Sequence, residues 1–383
     1  MDICVLNPFF YPYNGGTERV LYSLYTQLAK KHNVTVISAS LKRNQKRRVD
    51  NVNGIKVVRL STRYLDIQGL PMPFLKMNGI AEEIKRTGAD IYHINNRYQY
   101  FLGEIKAIRS VNAKLAITIH NSLPRNIDRF TDSGGLIFDK TWGSRLIGMS
   151  DLITAVSKDA ARTTVPKKHL HRTKIILNGV DYNEFKPRGR KLARRKLGLN
   201  GNAKIILNTA RFVQQKGQTY LLEAFGDAIS RGILDDDSEL IMIGKGPLKA
   251  YLQTEADRRG LHANVTLLSD INEKSLPYYY NAANAFVFPS LYEPAGLAGL
   301  EALSSGIPVI ASRAGGIPEM LKEHAIYVKP RSKNGIVSAL KKLSSAGWEI
   351  HDTERVMDFV HREHDWREIT KEYEASFQKI LKY

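Results

Sequence analysis

Short runs of β-branched and other apolar residues alternate along the chain with stretches whose apolar positions recur every three to four residues. In the first half these runs are residues 2–6, 34–38, 55–60, 90–94, 114–119, 152–156 and 174–177. In the second half they are residues 204–209, 239–243, 264–267, 285–288, 308–311 and 325–328. Apolar runs this short predict strands buried on both faces, and their alternation with helices predicts parallel sheets covered by helices. Two consecutive series predict two doubly wound α/β domains. The boundary falls at Asn178-Gly179-Val180-Asp181, where a turn-forming Asn-Gly ends the first series and a polar, basic segment, 184–202, precedes the next strand. The domains read as 1–178 and 179–365, with a final helical stretch from about 366 to the end that has no strand of its own.

Composition supports this division. The 383 residues are 43% hydrophobic and 25% charged, an ordinary globular mixture with enough apolar material for two cores. The lone cysteine, Cys4, excludes an internal disulfide and, inside an apolar run, reads as a small core residue. The amino terminus lacks a basic-then-apolar leader, and no apolar run approaches the ~20 residues that span a bilayer. The expected location is the cytoplasm, with attachment to the cytosolic face of a membrane as the variant of that reading.

Charge adds something the pattern does not show. Lys and Arg number 57 against 38 Asp and Glu, a formal +19, which favours phosphorylated ligands, anionic lipid or nucleic acid as partners. Residues 42–48 hold five cations in seven, and residues 188–196 hold six in nine. Each run reads either as a solvated face or as an anion-binding one. No zinc-ligand set, helix-turn-helix signal or RNP-like aromatic motif accompanies them, so a nucleic-acid partner is not expected.

Ligands of open α/β sheets bind beyond the carboxyl ends of the strands, so the segments that follow each strand carry the candidate chemistry. After the first strand, Gly15-Gly16 opens a helix and exposes backbone N–H groups where the dipole favours an anion. The spacing is not Gly-x-Gly-x-x-Gly, so it is no dinucleotide fingerprint. Past the strand at 204–209, Arg211 and Lys216 lie five apart and could hold a diphosphate between a planar fork and a mobile point charge. The decisive segment follows the strand at 285–288: Pro289-Ser290, then Glu293-Pro294-Ala295-Gly296-Leu297, then a helix of small residues to Glu301. With Pro294 in a first helical turn, Glu293 stands beside the free N–H groups of Ala295, Gly296 and Leu297. Eight residues of helix put Glu293 and Glu301 roughly 12 Å apart, about the span from hexose to ribose across a diphosphate.

At these residues the chain resembles the retaining glycosyltransferases of family 4, which have the two-domain GT-B fold. The resemblance rests on Gly15-Gly16, Thr118-Ile119-His120, Ala155-Val156-Ser157, Asn178-Gly179-Val180-Asp181, Arg211…Lys216-Gly217, Gly244-Lys245-Gly246-Pro247, Phe288-Pro289-Ser290, Glu293…Glu301 and Gly315-Gly316-Ile317-Pro318-Glu319. It implies two Rossmann-like domains facing across a cleft. The first would bind the acceptor, the second the sugar nucleotide, and the last helix would cross back to the first. It implies that Glu293 binds donor-sugar hydroxyls with help from the amides of Ala295, Gly296 and Leu297, and that Glu301 binds the ribose. Arg211 and Lys216 would neutralise the diphosphate, Gly16 would donate its N–H, and Gly15 and Gly244 would line the donor site. His120 would stand near the reacting carbon, and Glu319 would either support the ribose end or cap its helix.

No cofactor is implied beyond the nucleotide-sugar substrate, and no metal. The one Asp-x-Asp pattern, Asp235-Asp236-Asp237, precedes the strand at 239 and so lies at the wrong end of it. Retention with two carboxylates would suit a double-displacement glycosidase, but Glu301 is expected a sugar's length away; same-face attack is the mechanism the family implies. Lys245 replaces a usual Asp, and Leu267-Leu268-Ser269-Asp270 replaces a usual Phe-Leu-Gly pattern near the base pocket, which leaves the base open. The aromatics Phe9, Phe10, Tyr11, Tyr13, Tyr98, Tyr100 and Phe101, together with the 42–48 run, suggest a lipid-linked glycan or glycolipid acceptor at an anionic membrane surface. The rival readings are a GT-B sugar-nucleotide epimerase or hydrolase and a basic nucleic-acid-binding protein.

Overall fold

A computed structural model describes residues 1–13, 15–40, 45–65, 74–121, 129–348 and 352–382. The chain divides into two compact units, Met1–Gly179 with Trp366–Tyr383, and Val180–Asp365.

The first unit holds β1 (Asp2–Leu6), β2 (Asn33–Ala39), β3 (Arg48–Val52), β4 (Ile55–Leu60), β7 (Ile91–Ile94), β8 (Lys114–Ile119), β9 (Leu152–Ala155) and β10 (Thr173–Ile175) in one sheet of order β10-β9-β8-β7-β1-β2-β4-β3. All neighbours are parallel except β3, which pairs antiparallel with β4. The pairings Leu6↔Ile37 on one side of β1 and Leu6↔Ile94 on the other make it a central strand, and its apolar run Ile3–Leu6 is buried. Cys4 is fully buried there, and burial pushes its thiol well above the usual range, so it is core and chemically quiet. The carboxyl-terminal helix, Trp366–Leu381, buries Trp366, Ile369, Thr370, Tyr373, Ser376 and Phe377, a single stripe at helical spacing. It is pinned to this unit by a His32–Glu374 contact of 2.9 Å and by Lys174 Nζ donating to Ser376 Oγ at 3.2 Å.

The second unit holds β11 (Ile205–Thr209), β12 (Glu239–Ile243), β13 (Val265–Leu268), β14 (Ala285–Phe288), β15 (Val309–Ser312) and β16 (Ile326–Val328), all parallel, in the order β13-β12-β11-β14-β15-β16. Helices on its faces close a core that includes Ile206, Phe225, Leu240, Met242, Val287, Ile310 and Leu340.

Three strands lie outside the sequence reading. β3 has burial that never rises above intermediate, because an edge strand needs no apolar face and carries charge instead. Its first residue, Arg48, belongs to the basic run that the sequence leaves open between a solvated and an anion-binding face. The other two, β5 (Thr62–Leu65) and β6 (Phe74–Met77), form a separate antiparallel pair.

Candidate active site

In the second unit strand order reverses between β11 and β14, and this is where an open sheet leaves a crevice beyond its carboxyl ends. The segments that leave these two strands are laced together. Leu291 N–H donates to Gln215 O at 2.8 Å, and Gln215 Nε2 donates to Tyr292 O at 3.1 Å. That lacing brings Lys216 and Glu293 into an ion pair, with side chains 14% and 15% exposed. The Glu293 backbone is held from a third segment, since Gly316 N–H donates to its carbonyl at 2.8 Å. Gly315, at φ +55°, makes this approach feasible: a Cβ there would lie 2.2 Å from the same carbonyl oxygen. Gly244 has a like reason, because a Cβ would meet Ala210 O at 1.9 Å, and the turn it opens lies against the segment carrying Arg211.

The helix after β14 begins later than the sequence predicts. It runs Leu297–Ser304, capped by Gly296 in the left-handed region at φ +91°, and Pro294-Ala295-Gly296 is a turn before it. A left-handed residue cannot continue an α-helix, so the first-turn amides start at Leu297, and eight residues of helical rise do not measure the separation of the two carboxylates. Glu301 is buried, 7% exposed, and its Oε2 accepts from the Tyr280 hydroxyl at 2.8 Å. Tyr280 in turn contacts Thr209 Oγ1 at 2.7 Å, at the carboxyl end of β11. Tyr280 and Thr209 thus fix the Glu301 carboxylate at the crevice end of the sheet, a role the Tyr278-Tyr279-Tyr280 run does not announce. Arg211 is exposed, with its carbonyl held by Gln218 Nε2 at 2.9 Å. Glu319 sits half-buried in the first turn of the helix Ile317–Leu321, its N–H bonded to Gly316 O at 3.1 Å. Lys245 and Asp270, the two departures near the base pocket, form an exposed ion pair with each other. Asp235–Asp237 forms a turn at the amino end of β12.

In the first unit the order reverses between β1 and β7. After β1, Gly15 caps the helix Gly16–Leu28. Glu18 lies over that end, its Oε2 2.1 Å from where a Gly15 Cβ would stand, so a carboxylate of the chain already faces these amides. After β8, His120 is 7% exposed, and burial pushes its pKa down to about 4. Its Nε2 lies 2.9 Å from Asn95 Oδ1. The amide nitrogen of Asn95 donates to His93 O at 3.3 Å and to the Tyr25 hydroxyl at 3.5 Å, so Oδ1 is the acceptor and His120 carries its proton on Nε2. The contacts continue inward: Tyr25 OH lies 2.5 Å from His93 Nδ1, His93 Nε2 lies 2.7 Å from Thr118 Oγ1, and Thr118 Oγ1 lies 2.6 Å from Thr154 Oγ1. Burial, with His120 nearby, pushes the His93 pKa down to about 3, so both rings are neutral near neutral pH. Asn95, one residue beyond β7 and itself buried, is therefore a site residue that the sequence reading missed.

Of the aromatics read as acceptor candidates, Phe9, Phe10 and Tyr100 are core, whereas Tyr11, Tyr13 and Phe101 are exposed at 45%, 42% and 37%. Tyr98 packs against Phe138 with the rings tilted by 49° and carries the Arg97 guanidinium 4.3 Å over its ring. Within the basic run, Arg47 pairs with Glu83 at 2.7 Å and Arg48 with Asp50 at 3.0 Å; Lys42, Arg43 and Asn44 lie outside the described residues.

Residues 189–356 match the family model Glycosyl transferases group 1, and residues 14–184 match Glycosyltransferase Family 4. The chain belongs to the family 4, group 1 glycosyltransferases. Over 208 residues this glycosyltransferase is 30% identical to an uncharacterized glycosyltransferase of Methanocaldococcus jannaschii, an alignment that spans 52% of each chain. Over 392 residues it is 24% identical to a phosphatidylinositol N-acetylglucosaminyltransferase component of Homo sapiens, covering 99% of this chain and 76% of that one. Among solved structures, an Anabaena protein in complex with UDP and glucose matches with a TM-score of 0.78 at 18% identity, covering 99% of this chain and 100% of that one. The fold is GT-B, built from two Rossmann-like domains.

Proposed function

We propose that this glycosyltransferase moves a sugar from a nucleoside-diphosphate sugar to a hydroxyl acceptor, with retention of anomeric configuration and without a metal ion. The observation that carries the reading is the Lys216–Glu293 pair at the switch point of the second unit. Donor entry exchanges this pair for two ligand contacts. Lys216, a mobile point charge, turns to the diphosphate, and Glu293 accepts from hydroxyls of the sugar. Arg211 supplies a second, forked cation, and the ribose hydroxyls meet Glu301, whose other contacts already set its orientation. Ala295, Gly296 and Leu297 form the wall of the sugar site, Gly244 lets the neighbouring turn approach, and Glu319 stands at the ribose end. In the first unit, Gly15 and Gly16 stand at a helix start and His120 carries an unprotonated Nδ1. Departure of the diphosphate is the step that needs countercharge, and preset cations supply it without a metal. In same-face attack the leaving phosphate oxygen takes the acceptor's proton. A fold neighbour that binds UDP and glucose supports a nucleotide-sugar donor, without fixing the base.

The acceptor is a glycolipid or lipid-linked glycan met at an anionic membrane surface by a cytoplasmic protein. Exposed Tyr11, Tyr13 and Phe101 support this, as does kinship with a transferase named for phosphatidylinositol. No described helix is long and apolar enough to cross a membrane. The test is turnover of an α-linked nucleotide sugar in the presence of EDTA, with the product read by proton NMR. An α-linked product at an unchanged rate is expected. A β-linked product would remove retention, and loss of rate restored by magnesium would remove metal independence.

The orientation of His120 gives a second expectation. Asn95→Asp places a carboxylate against Nε2–H and raises the His120 pKa from about 4 toward neutrality. The pH profile of kcat/KM should then gain an ionisation between about pH 5 and 7 that the parent lacks. An identical profile in the two proteins would take His120 out of the reaction.

A further inference from the structure

Between residues 188 and 204 the chain carries seven Lys and Arg and no Asp or Glu. Four of them, Arg190, Lys191, Arg194 and Lys204, line one open cavity of about 620 Å³ together with Asn202 and Asn284. Lys204 precedes β11 and Asn284 precedes β14, so the cavity lies at the amino ends of these strands. The Lys216–Glu293 pair lies beyond their carboxyl ends, roughly 15 Å away at 3.3 Å per strand residue.

The electrostatics of this cavity are unbalanced. Arg194 is 3% exposed, yet the groups that accept from its guanidinium are neutral: Ala282 O at 2.9 Å, Asn200 O at 3.2 Å, Gly201 O at 2.7 Å and Asn284 Oδ1 at 2.7 Å. Glu239 is near enough to be felt at Arg194 but makes no ion pair with it, and burial lowers the Arg194 pKa with a further push from Arg190. None of the seven cations is ion-paired to a described residue. Arg190 Nε, in the wall of the cavity, is buried without a partner among the described residues, whereas buried guanidinium nitrogens are nearly always bonded.

The helix that forms one wall points the same way. It runs Arg190–Leu197 from an uncapped Gly189 and opens with Arg190-Lys191, with no acidic residue in its first turn. Cations at a helix amino end oppose the dipole, and that arrangement becomes favourable only when an anion sits there. We propose that this cavity is a second anion site, separate from the donor crevice, that takes a phosphate-bearing group of two or more negative charges through Arg190, Lys191 and Lys204. Arg194 is the fixed cation behind them. The same chemistry recognises a soluble phosphorylated metabolite or a phospholipid headgroup.

The test uses the full-length chain with the donor crevice disabled by Arg211→Ala and Lys216→Ala, at physiological salt. Two probes are applied: inorganic pyrophosphate by titration calorimetry, and phosphatidylcholine vesicles with and without phosphatidic acid by flotation. Adding Arg190→Ala and Lys191→Ala should weaken whichever probe binds by at least about tenfold, the loss of two charged contacts. Removing first-turn cations should leave the melting temperature of the free protein unchanged or raised, which separates lost binding from lost folding. Pyrophosphate binding that depends on Arg190 and Lys191 supports the site with a soluble ligand. Vesicle binding alone with that dependence supports it with a headgroup. Binding of neither probe, or binding indifferent to the two substitutions, overturns the proposal.

Discussion

Lys216→Ala is expected to lower kcat about 10²–10³-fold, the usual cost of removing one preset countercharge from a site where charge develops. Lys216 is 14% exposed and its backbone is held by the lacing of Gln215 to Leu291 and Tyr292, so the stem from which its ammonium turns to the diphosphate is in place before the donor arrives. Leaving-group charge grows in the transition state, so the loss should fall on kcat more than on KM. Lys216→Arg should recover only part of the rate, because a planar fork does not replace a point charge at the end of a flexible stem. Steady-state kinetics at saturating donor decide this. A kcat within about threefold of the parent would reduce Lys216 to a structural partner of Glu293.

Glu293→Ala should reduce kcat by about a hundredfold with a small effect on donor affinity, through loss of the contacts that hold the sugar in line. Glu301→Ala should do the opposite, raising the donor Kd about tenfold or more, as expected for a lost hydrogen bond to a charged group. The contrast follows from placement. The Glu293 carbonyl is clamped by Gly316 N–H beside the mobile Lys216, whereas the Glu301 carboxylate is anchored by Tyr280, from the helix Leu276–Ala282, toward β11. Because Lys216 and Glu293 share a contact, the double substitution should cost less than the sum of the two single ones. Additive losses together with unshifted donor affinity in Glu301→Ala would remove the division of labour between the two carboxylates.

The fold was legible wherever burial on both faces writes itself as an apolar run. β1, β4, β8, β12 and β14 have the bounds that the pattern predicts. β3 was not legible, because an edge strand with Arg48 and Asp50 paired across its surface leaves no apolar signature. The start of the helix at Leu297 was misread, because Pro294 marks a helical first turn as readily as the turn before one, and only the left-handed Gly296 decides between them.

The candidate site was legible where residues follow strand ends, which is how Arg211, Lys216, Glu293 and His120 come out of the sequence. Asn95 and Tyr280 escaped for a physical reason. Each works through a hydrogen bond to a residue 21 or 25 positions away, Tyr280 to Glu301 and Asn95 to His120, and such pairing has no period along the chain. The Arg188–Lys196 run was visible as charge, but a cavity at the amino ends of β11 and β14 needs the fold to appear.

The central claim is that the crevice between β11 and β14 holds a nucleoside diphosphate bearing a sugar. Thermal unfolding in the presence of UDP, GDP, ADP and their glucose or N-acetylglucosamine conjugates tests it most directly, with the parent and the Arg211→Ala, Lys216→Ala protein measured side by side. At least one nucleotide should raise the melting temperature of the parent by several degrees, about 3 kcal/mol at a hundredfold excess over Kd, and the doubly substituted protein should lose that gain. No stabilisation by any of them, or equal stabilisation of both proteins, would contradict the account.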